Sequence, residues 1–186
     1  MKNLTIYILA GGKSSRMGED KGLMLINGKS MIKYLLETVK LISNNIIIIS
    51  NNLEYEQFGY KVFPDVYKDK GPVGGIYTAL QNSKTESNLI LSCDTPFVST
   101  ELLKIIIENG NRVDVCIPSH AGQNHPLLGL YKTKVKTEFK KSLLSNHLKL
   151  INIIETLDFK VIDLTNKIKK KAFYNLNSVK DIRDLI

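Results

Sequence analysis

Directly after an apolar run ending in Leu9-Ala10, the chain reads Gly11-Gly12-Lys13-Ser14-Ser15-Arg16-Met17-Gly18-Glu19-Asp20-Lys21. Glycines at such a point let successive backbone N–H groups turn inward and form a concave nest for an anion. Arg16 can grip phosphate oxygens in bidentate fashion, and Lys21 supplies a compact point charge. A plain strand-to-helix turn would account for the glycines alone, but not for Arg16 and Lys21 in the same loop. A triphosphate is the natural ligand. Two commoner phosphate motifs are excluded. A P-loop ending at Gly12-Lys13-Ser14 needs a glycine where Tyr7 stands, and the dinucleotide fingerprint needs one where Lys13 stands.

Asp94 ends a second apolar run, Leu89 to Cys93. Triphosphate chemistry relies on charge neutralisation, commonly by Mg²⁺, which takes carboxylate oxygen and keeps several waters. One well-placed aspartate suffices, so Asp94 is the candidate metal ligand; its other reading is a turn carboxylate, since Pro96 follows. Asp65 and Ser50-Asn51-Asn52 also follow apolar segments. His125 invites a general-base role, but a His-Pro pair opening a strand reads better as structural or substrate-lining.

The elements that position these residues follow from periodicity. Leu4 to Ala10, Ile46 to Ile49 and Leu89 to Cys93 are apolar throughout and read as strands buried on both faces. Shorter strands are expected at Lys61 to Pro64, Val113 to Ile117, Leu127 to Tyr131 and Phe159 to Leu164. Ser30 caps a helix to about Ile42, Gly71-Pro72 opens one to about Gln81, and Ser99 or Thr100 caps one to about Asn109. Helical stretches follow Tyr131 up to about Leu157. A last helix starts at Ser178, with Asp181 at capping-box spacing. Alternating strands and helices specify one three-layer α/β domain over residues 1–186, a mostly parallel sheet with helices on each side. Ligands of such sheets sit at the carboxyl ends of the strands.

Composition bounds the function. The 186 residues are 43% hydrophobic and 24% charged, ordinary globular material. The two cysteines form neither a disulfide framework nor a metal-ligand spacing, and no segment reads as a signal peptide or membrane span, so the cytoplasm is expected. The net charge of +8 invites a nucleic-acid reading. The lysines are scattered, however, and the one dense cluster, Lys167 with Lys169-Lys170-Lys171, lacks interleaved aromatics and reads as a solvated turn. Excess positive charge still steers small anions.

From Leu9 to Lys21 the chain resembles the molybdenum cofactor guanylyltransferase family, meeting every fixed position of L-A-G-G-x-S-x-R-M-G-x-D-K. The resemblance continues in Gly71-Pro72-Val73-Gly74-Gly75-Ile76, Cys93-Asp94-Thr95-Pro96-Phe97, His125-Pro126-Leu127-Leu128-Gly129-Leu130-Tyr131 and Phe173-Tyr174-Asn175-Leu176-Asn177. The first motif occurs in other NTP-transferases; the ordered set is far more specific.

The resemblance implies a Rossmann-like αβα sandwich of the nucleotide-diphospho-sugar transferase type. It implies transfer of GMP from GTP to the phosphate of molybdopterin, with Mg²⁺ as cofactor and with other cofactor-assembly proteins as possible partners. It assigns nucleotide contacts to Leu9, Ala10, Gly11, Gly12, Lys21, Asp65, Gly75 and Asp94, and puts Ser50, beside Asn51 and Asn52, where the family uses an asparagine. Arg16, Lys21 and Asp94 would carry catalysis. His125, Pro126, Asn175 and Asn177 would lie beside the acceptor, whose phosphate is already an anion and needs no general base. The loop does not fix the base, so CTP as donor stays open, as does another phosphorylated acceptor. Intact Lys21 and Asp94 argue against a non-catalytic binding module. The chain departs from the family at Asn146 and Leu148, where glycine and arginine are usual, with Lys149 beside the missing charge. It departs again at Ser178-Val179-Lys180, where Thr-Pro-Glu is usual and the helix cap survives.

Overall fold

The computed structural model describes residues 3–11, 20–176 and 181. Strand β1 (Leu4–Leu9) is buried along its whole length, as a run apolar on both faces requires. A short antiparallel ribbon follows, β2 (Leu25–Ile26) and β3 (Lys29–Ser30), leading into helix α1 (Met31–Lys40). Then come β4 (Ile46–Ile49), β5 (Lys61–Phe63), α2 (Gly71–Asn82), β6 (Ser87–Ser92) and α3 (Thr100–Asn109). The chain continues through β7 (Val115–His120), β8 (Gln123–Asn124), β9 (Leu128–Lys132), α4 (Lys136–Leu144), α5 (Leu150–Ile154) and β10 (Phe159–Asp163).

Among the described residues the strands join in the order β10-β7-β9-β6-β1-β4-β5, with β8 paired to β7. The sheet is parallel except at β9, which runs against both β6 and β7, and at β8, which runs against β7. Helices cover both faces. Ile32, Leu35 and Val39 of α1, with Leu102, Leu103 and Ile106 of α3, pack on one. Val73, Ile76 and Leu80 of α2, Phe139 of α4 and Ile154 of α5 pack on the other. The expected three-layer mostly parallel sandwich is what forms.

Local differences have local causes. Ser30 precedes α1 as expected, yet its hydroxyl makes no capping bond and is buried without a partner among the described residues. Ser30 is held in the ribbon opposite Leu25, and Met31 N–H donates to the Met24 carbonyl at 2.9 Å, so the ribbon sets the helix start. Ser99, by contrast, accepts from Leu102 N–H at 3.2 Å. Strand β7 begins at Val115 rather than Val113 because its pairing with β10 starts opposite Phe159. The helical stretch after Tyr131 breaks at Asn146, whose φ of 57° lies in the left-handed region. Asparagine tolerates that conformation better than most residues, which is how it stands where the resembled family has glycine. Leu148 packs against the α2-side core. Asp181 is helical, while the Ser178 cap lies outside the described residues.

Candidate active site

The register of the sheet brings the polar strand ends together. Leu9 lies opposite both Ile49 of β4 and Ser92 of β6, and Ile49 lies opposite Phe63 of β5. Backbone bonds extend this register one residue further. Ala10 N–H donates to the Ile49 carbonyl at 2.9 Å, Ser50 N–H to Phe63 at 2.9 Å, and Cys93 N–H to Leu9 at 3.0 Å. Gly11, Asn51, Asp65 and Asp94 therefore emerge along one edge of the sheet, above its buried core.

There they line a cleft of about 740 Å³, with Leu9, Ala10, Ser50, Asn52, Gly75, Asp20, Asp69, Pro72, Ser92 and Leu127 completing its walls. Gly75 keeps α2 close to the end of β1. A Cβ there would meet both terminal methyls of Leu9 at 3.3 Å, tighter than ordinary side-chain contact.

On the β5 side, Asp65 and Asn51 bond reciprocally. Asn51 Nδ2 donates to Asp65 Oδ2 at 3.2 Å, and Asp65 N–H donates to Asn51 Oδ1 at 3.1 Å. The other oxygen, Asp65 Oδ1, is buried with no partner among the described residues. Burial pushes this carboxyl above the ordinary carboxylate range, and the Asn51 bond partly opposes the rise.

On the β6 side, Asp94 repeats the pattern. Its Oδ1 is buried without a partner among the described residues. Burial raises its pKa, while a hydrogen bond from Ser92 and the positive charge of Lys21 pull it down. A buried carboxylate oxygen with no donor suits a divalent cation, which supplies the missing charge. The described residues contain no cluster of three or more His, Cys, Asp or Glu fit for a metal. Mg²⁺ is content with one carboxylate beside water and substrate oxygens, so Asp94 is the residue that would hold such an ion.

Most of the residues named from the sequence converge here: Leu9, Ala10, Gly11, Ser50, Asn52, Asp65, Gly75 and Asp94 all line the cleft. Lys21 is placed by its electrostatic effect on Asp94. Gly12, Arg16 and Asn177 lie outside the described residues. Asn52 has its side chain engaged elsewhere: Oδ1 accepts from Glu54 N–H at 3.0 Å, and Nδ2 donates to Asp20 Oδ2 at 3.4 Å. Asn51, not singled out from the sequence, is the asparagine that holds Asp65. Sequence position alone cannot tell these neighbours apart, because a turn decides which one points inward. Asp20 and Asp69 were missed too. Asp20 was visible as a fixed letter of the first motif; Asp69 was signalled only by a turn, where it takes a φ of 59°.

Of the expected acceptor residues, His125, Pro126 and Asn175 are not in the cleft lining. His125 packs its ring on Phe173, centroids 4.9 Å apart, with His120 on the same ring at 4.8 Å. Burial first, then His120, lowers the His125 pKa, so it is neutral at pH 7. The Pro126 carbonyl accepts from the Tyr131 hydroxyl at 2.6 Å. Asn175 is exposed, and its neighbour Leu176 donates N–H to the Asp94 carbonyl at 2.8 Å. Leu127, next to Pro126, is where this region meets the cleft.

Comparison with known proteins agrees with this geometry. The MobA-like NTP transferase domain matches residues 6–157. A protein of Flavobacterium johnsoniae named probable molybdenum cofactor guanylyltransferase is 37% identical, covering 100% of this chain and 97% of its own. The molybdenum cofactor guanylyltransferase of Histophilus somni is 32% identical over 96% of this chain and 94% of its own. Among solved structures, molybdopterin-guanine dinucleotide biosynthesis protein A from Archaeoglobus fulgidus superposes with a TM-score of 0.81. It is 23% identical, covering 97% of this chain and 95% of its own, and so speaks for the fold. With a central sheet of this topology and a family match over most of its length, the chain belongs to the MobA-like NTP transferase family.

Proposed function

We propose that the protein transfers GMP from GTP to the phosphate of molybdopterin, releasing pyrophosphate and forming molybdopterin guanine dinucleotide. One observation carries the reading. Two buried carboxylate oxygens, Asp65 Oδ1 and Asp94 Oδ1, lack partners among the described residues and belong to residues lining the same cleft. Asp65 follows β5 and Asp94 follows β6, with β4 and β1 between them. Three strand spacings separate them, roughly 14 Å. That is of the order of a nucleotide's reach from base edge to phosphates.

The Asp65 end selects the base. Guanine presents N1–H and N2–H₂ side by side, two donors for one carboxylate. Adenine and cytosine pair their amino donor with an acceptor nitrogen, which a carboxylate repels. A buried acceptor left unpaired by the wrong base is costly, and this is how polar sites discriminate. Asn51 fixes the carboxylate, and the main chain at Leu9 to Gly11 supplies further polar groups along the base.

The Asp94 end handles the phosphates. Asp94 would hold Mg²⁺, which when bound supplies charge neutralisation across the phosphate oxygens. Lys21, with Arg16, neutralises the departing pyrophosphate. An acceptor phosphate oxygen attacks the α-phosphorus as the bond from that phosphorus to the pyrophosphate oxygen breaks. The attacking oxygen is already anionic, so no side chain has to remove a proton, and no histidine is found in the cleft lining. In this reading His125, Pro126, Asn175 and Asn177 would contact the acceptor, with cofactor-assembly proteins as partners and the cytoplasm as the compartment. No helix of the described residues is long and apolar enough to cross a membrane.

The test is pyrophosphate release from GTP, CTP, ATP and UTP, with and without Mg²⁺ and molybdopterin. Release from GTP only when both are present is expected. Release from CTP instead would keep the chemistry and overturn the base assignment.

A further inference from the structure

Asp20 is another carboxylate lining the cleft, and its surroundings differ from those of Asp65 and Asp94. Where they keep an oxygen without a donor, Asp20 accepts three hydrogen bonds. The Tyr55 hydroxyl donates to Oδ1 in a very short contact, Gly22 N–H donates to the same oxygen at 3.1 Å, and Asn52 Nδ2 donates to Oδ2 at 3.4 Å. Tyr55 is fully buried, packed in the core with Ile8, Ala10 and Cys93. Burial raises its pKa far above the ordinary range, so the hydroxyl stays protonated and can only donate to the carboxylate. The packing leaves no slack: a Cβ at Gly22 would fall on the Tyr55 hydroxyl.

An aspartate lining a triphosphate site is otherwise a liability. Its charge, on the wall of the cleft, repels the phosphates. Three donors, one of them anchored in the core, fix and orient it. They also tie the Lys21–Leu23 turn to the turn after β4, which leads to Asn51 and the base-selecting Asp65.

We propose that Tyr55 is a positioning residue for nucleotidyl transfer, latching the Asp20 carboxylate so that its negative charge is held at a fixed place on the cleft wall and off the path of the phosphates. The effect on turnover rests on the function proposed above; the latch itself does not.

Tyr55→Phe keeps the ring and removes the donor. Loss of one hydrogen bond to a charged group predicts a fall in kcat of about ten- to a hundredfold, with KM for GTP changed by less than about threefold. Tyr55→Phe combined with Asp20→Asn removes the unlatched charge and should recover most of the lost kcat, which a merely structural role for Tyr55 would not allow. A kcat for Tyr55→Phe equal to wild type, or a double variant no better than the single one, overturns the proposal. Amide hydrogen exchange of the whole chain is read in parallel. Gly22 should exchange at least about tenfold faster in Tyr55→Phe, with the β1 and β6 amides unchanged. Should the wild type release no pyrophosphate from any nucleotide, the functional reading fails, and the Gly22 exchange rate alone decides for or against the latch.

Discussion

The two rims of the candidate site are built differently. Along the ends of β4, β5 and β6, polar side chains stand on parallel strands, β4 and β6 almost wholly buried and β5 half-exposed at the sheet edge, and two carboxylates each keep a buried oxygen unpartnered among the described residues. Around β8 and β9, two candidate acceptor residues are held by neighbouring side chains: His125 stacks with His120 on Phe173, and the Pro126 carbonyl accepts from Tyr131. The first rim is prepared for a ligand that supplies what it lacks. The second satisfies itself and offers a surface. Desolvated, unpaired charge on a rigid scaffold marks a built site, because leaving it unmatched costs stability that only a ligand returns.

The largest break of this contrast is Asp94→Asn. Loss of the metal ligand should lower pyrophosphate release about a thousandfold, matching several kcal/mol of metal-borne stabilisation. Coupled pyrophosphate detection measures it, and an unchanged rate would remove Asp94 from the mechanism. Asp65→Asn comes next. Its amide presents a donor to guanine's donors, so the Kd for GTP should rise about thirtyfold, near 2 kcal/mol, while CTP binding barely moves. Calorimetric titration of both nucleotides reads the difference. An equal loss for GTP and CTP would show that Asp65 does not read the base.

A pH series sharpens the same contrast. The fold raises the Asp65 and Asp94 pKa values above 3.8, so it binds protons there more tightly than the unfolded chain does. Their contribution to stability is fully present below the ordinary value and is lost as pH rises through the raised one. The Tm of the ligand-free wild type should therefore fall, relative to Asp65→Asn/Asp94→Asn, as pH rises through that window. Mg²⁺-GTP affinity should run the other way and increase, since the ligand needs both carboxylates ionised. The smallest effect belongs to the second rim. His125→Gln should leave GTP affinity within about twofold and cost less than about 1 kcal/mol of stability, while raising KM for molybdopterin a few-fold. A large loss of GTP affinity would place His125 in the nucleotide site.

Much of the molecule was legible from pattern alone. Runs such as Ile46–Ile49 are apolar on both faces and admit only a covered, largely parallel sheet. Gly71-Pro72 and Ser99 marked helix starts because their backbone chemistry is local. The direction of β9 was not legible, since Leu128–Lys132 is buried throughout and burial is the same in either direction. The lysine cluster is exposed as expected of a solvated turn, yet Lys171 lies 4.6 Å from the centre of the Phe97 ring, a neighbour that no local pattern reveals.

By itself, then, the sequence determined the strands and helices, the anion-binding loop and the aspartates at strand ends, because these follow from periodicity, backbone freedom and charge. Only the tertiary structure decided that Asn51 rather than Asn52 holds Asp65, that Asp20 is tied to a tyrosine thirty-five positions away, and that Asp65 and Asp94 each keep a buried oxygen without a partner among the described residues. Hydrogen-bond partners are settled by which strand lies beside which, and that depends on the packing of the whole chain.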